Sequence, residues 1–264
     1  MSKVTVGVLA LQGGFHEHLN TLAKLKVADG SSPSCVTIVP QAVKTPEDLS
    51  LCDALIIPGG ESTTIALVAR LSGLLDLLKQ YEKPIWGTCA GAILLSRQVV
   101  GTKKGGQEVL AKMDVKVGRN GWGSQVESFE ADLTVKGMRD ESKPFKGVFI
   151  RAPVILSLLP TTPGQPPVEI VARLPEEITP SDESAPFSAV DALGICVPST
   201  PGYLPTPPNE REILAQPEDL RHLVALRQGN HLLTTFHPEL TRDDRFHELF
   251  VREFVLPSLP GVKE

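Results

Sequence analysis

The sequence predicts an α/β fold, a three-layer, mostly parallel twisted sheet with helices on both faces. Three observations predict it. Short aliphatic and β-branched runs at Val4–Ala10, Cys35–Val39, Ala54–Ile57 and Pro84–Gly87 read as strands buried on both sides. Longer stretches of helical periodicity separate them, and strand–helix alternation implies parallel strands joined by crossovers. Glycine turns, Gly13-Gly14 and Gly59-Gly60, stand where strands meet helices.

Each element has a local cause. Val4–Ala10 stops at the turn Leu11-Gln12-Gly13-Gly14. Phe15–Lys26 carries Leu19, Leu22, Ala23 and Leu25 near helical spacing, with His16 and His18 expected on its solvated face. Thr45-Pro46-Glu47-Asp48 opens a helix, with threonine as cap, proline at the first helical position and acids in the first turn. Ser62–Leu78 is helical with an interruption near Gly73, and Ala90–Val99 is a further helix. Beyond residue 105, Met113–Val117, Gln125–Val135 and Val148–Ile150 alternate like exposed or antiparallel strands. Val168–Leu174, Gly194–Val197, Leu223–Leu226 and Leu232–Phe236 are expected strands, and Arg242–Val255 an amphipathic helix.

The 264 residues are expected to form a single domain, 1–264. A chain of this length buries roughly three quarters of its unfolded surface and needs neither disulfide nor metal to fold. Lys+Arg is 26 against Asp+Glu 31, a formal charge of −5 that argues against nucleic acid as the main partner. No uncharged apolar stretch reaches the ~20 residues that span a bilayer, and the N-terminal apolar run is too short for a signal peptide. Cys35, Cys52, Cys89 and Cys196 are scattered, with no CxxC pair to hold zinc. They read as reduced thiols in a cytoplasmic protein.

The chemistry concentrates at Gly87-Thr88-Cys89-Ala90-Gly91, between a strand and a helix. This is the shape of a nucleophile elbow with cysteine in place of serine. The helix N-terminus beneath it favours negative charge on the thiol. A lone cysteine behind a sheet is more often a core thiol; glycine at both flanks of a strand–helix junction favours the nucleophile. A thiolate needs a proton carrier. His237 ends an apolar strand, and on an extended segment Glu239, two residues on, points to the same side and orients the imidazole. An oxyanion hole would take the Ala90 N–H and a second donor from Pro58-Gly59-Gly60-Glu61-Ser62-Thr63-Thr64, where glycine lets the backbone approach a substrate. That turn lacks the lysine and spacing of a phosphate loop.

The elbow and His237-Pro238-Glu239 are similar to the class I, triad-type glutamine amidotransferases. Six segments resemble the glutaminase subunits of pyridoxal 5'-phosphate synthases: Gly7–Gly13, Pro58–Thr64, Gly87–Gly91, Val126–Leu133, Val148–Pro153 and Phe236–Thr241. The resemblance implies the flavodoxin-like class I amidotransferase fold. It also implies that Cys89 attacks the side-chain amide of L-glutamine, His237 protonates the departing ammonia and water releases glutamate. Gly60 and Ala90 would form the oxyanion hole, and Gly60, Glu61, Ser62, Arg119, Ile150 and Arg151 would bind glutamine. The ammonia would pass to a synthase subunit in a hetero-oligomer, with no cofactor, metal, nucleic acid or membrane involved. The alternatives are a glutaminase serving another acceptor and a catalytically silent regulatory subunit.

Two features depart from that pattern. Ser124 stands where the family usually has arginine, which removes a charge and a five-donor fork. Thirteen of the 23 prolines fall between Pro160 and Pro217, and residues 176–221 read as a proline-rich surface insertion. Long surface loops cost little closure entropy. Replacing Ser181–Asn209 by a short Gly/Ser linker is therefore expected to leave the melting temperature within a few degrees. Calorimetry of the deletion variant checks this; a collapse of the transition would show that the segment is packed into the fold.

Overall fold

The computed structural model of the chain describes residues 3–28, 35–102, 106–119, 121, 128–178 and 220–259. The expected strand Gly194–Val197, Ser124 and nearly all of the proline-rich insertion lie outside these residues. The elements run β1 (Lys3–Leu9), α1 (Phe15–Lys24), β2 (Val27–Ala28), β3 (Cys35–Val43), α2 (Pro46–Ser50), β4 (Ala54–Ile57), α3 (Ser62–Leu71), α4 (Leu74–Gln80), β5 (Ile85–Thr88) and α5 (Ala90–Leu95). They continue with β6 (Ser96–Val100), β7 (Met113–Gly118), β8 (Ser128–Leu133), β9 (Phe145–Ile150), β10 (Val154–Leu158), β11 (Glu169–Arg173), β12 (Leu223–Gln228), β13 (His231–Thr234) and α6 (Arg245–Phe250).

The main sheet has the order β11-β12-β13-β5-β4-β1-β3-β2. Its five central strands, β13, β5, β4, β1 and β3, are parallel, with antiparallel strands at both edges. This is the flavodoxin-like layered architecture the sequence predicts. Alternate residues of one strand enter opposite layers: Ala54 and Ile56 of β4 join the core beneath α1 and α6, whereas Leu55 and Ile57 join the core beneath α3, α4 and α5. Pro40 lies within β3, paired with Val6. It is tolerated because β2 reaches only Cys35 and Val36, so the missing N–H forfeits no ladder bond.

The capping box at Thr45 forms as expected, Thr45 Oγ1 accepting from the Asp48 N–H and Asp48 accepting from the Thr45 N–H. Gly73 breaks α3 from α4 by taking a left-handed conformation, φ 74°. Four expectations change. Helix α5 ends at Leu95, and Ser96–Val100 becomes a strand parallel to β7. The turnover occurs because Arg97 is drawn to buried Asp114 at 2.5 Å, and Asp114 is itself fixed by Thr162 and Gln228. Val154–Leu158, for which the sequence pattern predicts no element, is a strand antiparallel to β7. The C-terminal helix starts at Arg245 and widens after Phe250. His18 is not on a solvated face but fully buried, while His16 is exposed.

Buried Arg245 docks α6 by donating to the Asp243 carboxylate and to the carbonyls of Lys143 and Pro144 ahead of β9. The elbow between β5 and α5 depends on two close approaches. A Cβ at Gly87 would lie 2.5 Å from the Gly91 carbonyl, and one at Gly91 would lie 2.1 Å from the Ile57 oxygen. We expect Gly91→Ala to lower stability by about 3 kcal/mol, at the upper end of overpacking costs. Gly73→Ala meets no atom within 4 Å and should cost only about 1 kcal/mol of left-handed strain. Urea unfolding of the two variants checks the contrast.

Candidate active site

The carboxyl ends of the parallel strands converge on Cys89. Its backbone, φ 48° and ψ −102°, is in a sparsely populated region, at a cost of order 1–3 kcal/mol. The surroundings over-determine it. The Cys89 N–H donates to the Thr234 carbonyl of β13 at 2.9 Å, and its own carbonyl accepts from the Ile93 N–H at 3.3 Å. The Ala90 N–H belongs to the first turn of α5, where amides have no helical acceptor.

His237 follows β13, anchored by its N–H on the Val148 carbonyl of β9 at 2.8 Å. The expected extended His-Pro-Glu segment is instead a 3-10 turn over Pro238–Leu240. The turn still brings Glu239 back beneath the imidazole, with His237 Nδ1 2.8 Å from Glu239 Oε1. Burial alone would lower the pKa of His237; hydrogen bonds with Cys89 and Glu239, reinforced by their charge, overcome it and push the value up to about 10. The Gly59-Gly60 turn lies against both partners: a Cβ at Gly59 would stand 2.4 Å from His237 Cε1 and 3.3 Å from Cys89 Cβ.

A cleft of about 300 Å³ opens above the thiol. The structure brings Gly60, Glu61, Ser62, Arg119, Ile150 and Arg151 together with Cys89, Ala90 and His237 along its wall, and leaves Glu239 buried behind His237. Glu61 caps α3, accepting from the Thr63 N–H and hydroxyl, and pairs with Arg119 at 2.7 Å. Burial would raise the pKa of Glu61, but these hydrogen bonds and the Arg119 charge hold it below the ordinary carboxylate value. Arg151 has φ 43°, a second strained residue on the wall.

Three further residues support this region, of which the sequence assigns no site role to Gln12 and Gln107 and places His18 on a solvated face. Gln12 ties the Gly-Gly turn in place, its Oε1 accepting from the Glu61 N–H at 2.8 Å. Gln107 accepts from both Ser62 and Arg119. His18 lies 3.4 Å from Glu239. Only Gln12 carries a signal, its place at the end of a strand before Gly-Gly. Buried Cys52 packs in the core, where desolvation raises its pKa to about 11; the side chains of Cys35 and Cys196 lie outside the described residues. Among the described residues, no group of three or more His, Cys, Asp and Glu is placed to hold a metal ion.

A thiol at a strand–helix elbow beside an imidazole–carboxylate pair, on a flavodoxin-like sheet, is the arrangement of the class I glutamine amidotransferases. The chain belongs to the SNO glutamine amidotransferase family, whose model matches residues 8–175 and 204–256 and passes over 176–203. It is 38% identical to the "Probable pyridoxal 5'-phosphate synthase subunit PDX2" of Arabidopsis thaliana, over 94% of this chain and 85% of that one. It is equally identical to the "Pyridoxal 5'-phosphate synthase subunit PdxT" of Chloroflexus aggregans, over 94% and 99%. A crystal structure of a glutamine amidotransferase, 36% identical, superposes with a TM-score of 0.62 over 94% of this chain and 97% of that one.

Replacing the Glu239 carboxylate by an amide should weaken the hold on the His237 proton. Because His237 is held well above its ordinary value, a step that needs its proton persists until the pH approaches 10. Glu239→Gln removes one of the two charges that raise it. The alkaline limb of glutamine turnover should therefore move to lower pH by about 1–3 pH units, the usual effect of an adjacent charge. A pH–rate profile reads the change, and an unmoved limb would refute the pairing.

Proposed function

We propose that this chain is the glutaminase subunit of a pyridoxal 5'-phosphate synthase. The observation that carries the reading is the strained Cys89 thiol beside the His237–Glu239 pair in the cleft lined by Glu61 and Arg119. The Cys89 thiolate attacks the side-chain carbonyl carbon of L-glutamine. The Gly60 and Ala90 amides receive the oxyanion, and imidazolium His237 gives its proton to the leaving nitrogen, so that ammonia departs and a thioester remains. Neutral His237 then takes a proton from water, which opens the thioester to glutamate and restores the thiolate. The sum is glutamine plus water to glutamate plus ammonia.

Arg119 and Glu61 offer opposite charges at one end of the cleft, suited to the carboxylate and ammonium of a free amino acid. Gly60, Ser62, Ile150 and Arg151 complete the glutamine site in this reading. The ammonia passes to a separate synthase subunit, a partner that the relatives' names, each a synthase subunit, support. No helix among the described residues is long and apolar enough to cross a membrane, in keeping with work in the cytoplasm. The whole chain acts as one glutaminase domain, with the proline-rich segment as a surface insertion.

A free glutaminase would waste glutamine, and the Gly59-Gly60 peptide can turn its N–H toward or away from the oxyanion at little steric cost. Turnover of the isolated chain should be weak and rise at least ~10-fold with saturating synthase, since one oxyanion donor is worth about 10²–10³. Cys89→Ala should abolish turnover while partner binding survives. Ammonia release by the two proteins, alone and mixed, tests both points. An inactive wild-type mixture would favour a silent regulatory subunit, and activity retained in Cys89→Ala would exclude Cys89 as the nucleophile.

A further inference from the structure

Behind the triad lies a second pair of histidines that the reaction above does not use. His18 of α1 and His247 of α6 are both fully buried, with His18 Nδ1 2.9 Å from His247 Nε2. The far nitrogen of His18, Nε2, is 3.4 Å from Glu239 Oε2 and 3.4 Å from the hydroxyl of Thr88, the residue preceding the nucleophile. Trp86 packs edge-on against both rings, at 5.8 and 5.1 Å between centroids. Its indole N–H is held by Thr234 Oγ1, whose residue also supplies the carbonyl that fixes Cys89. Two buried atoms of this cluster lack a hydrogen-bond partner: Glu239 Oε2 and His247 Nδ1.

Those two atoms decide where the protons sit. Two neutral imidazoles share two protons among four nitrogens, and the ring–ring contact consumes one. If His18 donated to His247, its Nε2 lone pair could accept from the Thr88 hydroxyl but would also face a carboxylate oxygen, and His247 Nδ1 would be a buried N–H with no acceptor. If His247 Nε2–H donates to His18 Nδ1, the His18 Nε2–H faces Glu239 Oε2 and the Thr88 hydroxyl, each at 3.4 Å, and His247 is left with an unpaired lone pair on Nδ1. A buried orphan acceptor is the more readily tolerated of the two. Both rings are held neutral: burial, then repulsion from His247 and His237, lowers the pKa of His18 well below its ordinary value, and burial lowers His247 to about 3.

We propose that His18, oriented by His247, is a positioning residue of the triad, a neutral donor that holds the second oxygen of Glu239 so that the first stays aimed at His237. The carboxylate is then gripped by an imidazole on each side, one cationic and one neutral. Neutrality matters, because a second cation at Glu239 would compete with His237 for the same charge. The 3.4 Å contact is long for an N–H···O bond, as catalytic contacts often are before substrate tightens them.

The inference rests on the triad reading, so its test separates the two. Wild-type turnover with the synthase subunit present judges the triad's function. The His18 proposal is judged first on the unmodified chain, by nitrogen-15 spectra of the imidazoles. The expected result is neutral His18 protonated at Nε2 from pH 5 to 8; an Nδ1-protonated or cationic His18 overturns it. The second arm uses His18→Phe and His18→Gln in the same complex. Phenylalanine fills the ring's place without a donor, whereas the glutamine amide can accept from His247 and donate to Glu239. His18→Phe should lower kcat at least ~10-fold at unchanged KM for glutamine and move the alkaline limb to lower pH. His18→Gln should recover most of the rate and the wild-type limb. Equal rate losses in both variants with an unmoved limb, or a wild-type rate in folded His18→Phe, would make the pair packing alone.

Discussion

The backbone of Cys89 is the constraint on which the site depends. Its positive φ aims the side chain out of the sheet instead of into the core, and no local preference of cysteine maintains it. The conformation survives because β13 accepts the Cys89 N–H and because α5 lies close enough to β4 and β5 to leave no room for relaxation. Glycine at 87 and 91 permits that closeness. The strain of one residue is thus set against the packing of three strands and a helix, and the thiol is held in the wall of the cleft before any substrate arrives.

The same crowding divides the histidines by charge. His237 lies at the cleft and meets two groups that favour its cation, so its pKa rises despite burial. His18 and His247, on the far side of Glu239, are fully enclosed, and desolvation dominates. Imidazoles of the same chemistry therefore take opposite states around one carboxylate. The gradient from cleft to core, more than the identity of the residues, assigns the proton.

The Glu61–Arg119 end of the cleft is built from separate elements. Arg119 follows β7, whose sheet is anchored by the pairing of Arg97 with buried Asp114, and reaches Glu61 at the start of α3. Gln12, just after β1, holds the same turn through the Glu61 N–H. These contacts join the small sheet to the main one across the cleft, so the site is a seam between layers.

Much was legible in the sequence where cause is local. Buried strands showed as aliphatic runs, the α2 cap as Thr-Pro-Glu-Asp, the break at Gly73 as a lone glycine, and the elbow as a cysteine between glycines. These features rest on φ/ψ preference, capping and close approach, which depend on near neighbours. The tertiary structure alone decided the rest. Ser96–Val100 left its helix because Asp114, far along the chain, captured Arg97. The His-Pro-Glu segment curled into a turn, so that Glu239 faces His237 for a reason other than strand alternation. His18 sits on a helix of mixed polarity, and its burial was invisible until α6 brought His247 and Phe246 against Trp86. A residue's periodicity states which face it shares; only the partner packed on that face determines whether it is wet, charged or buried.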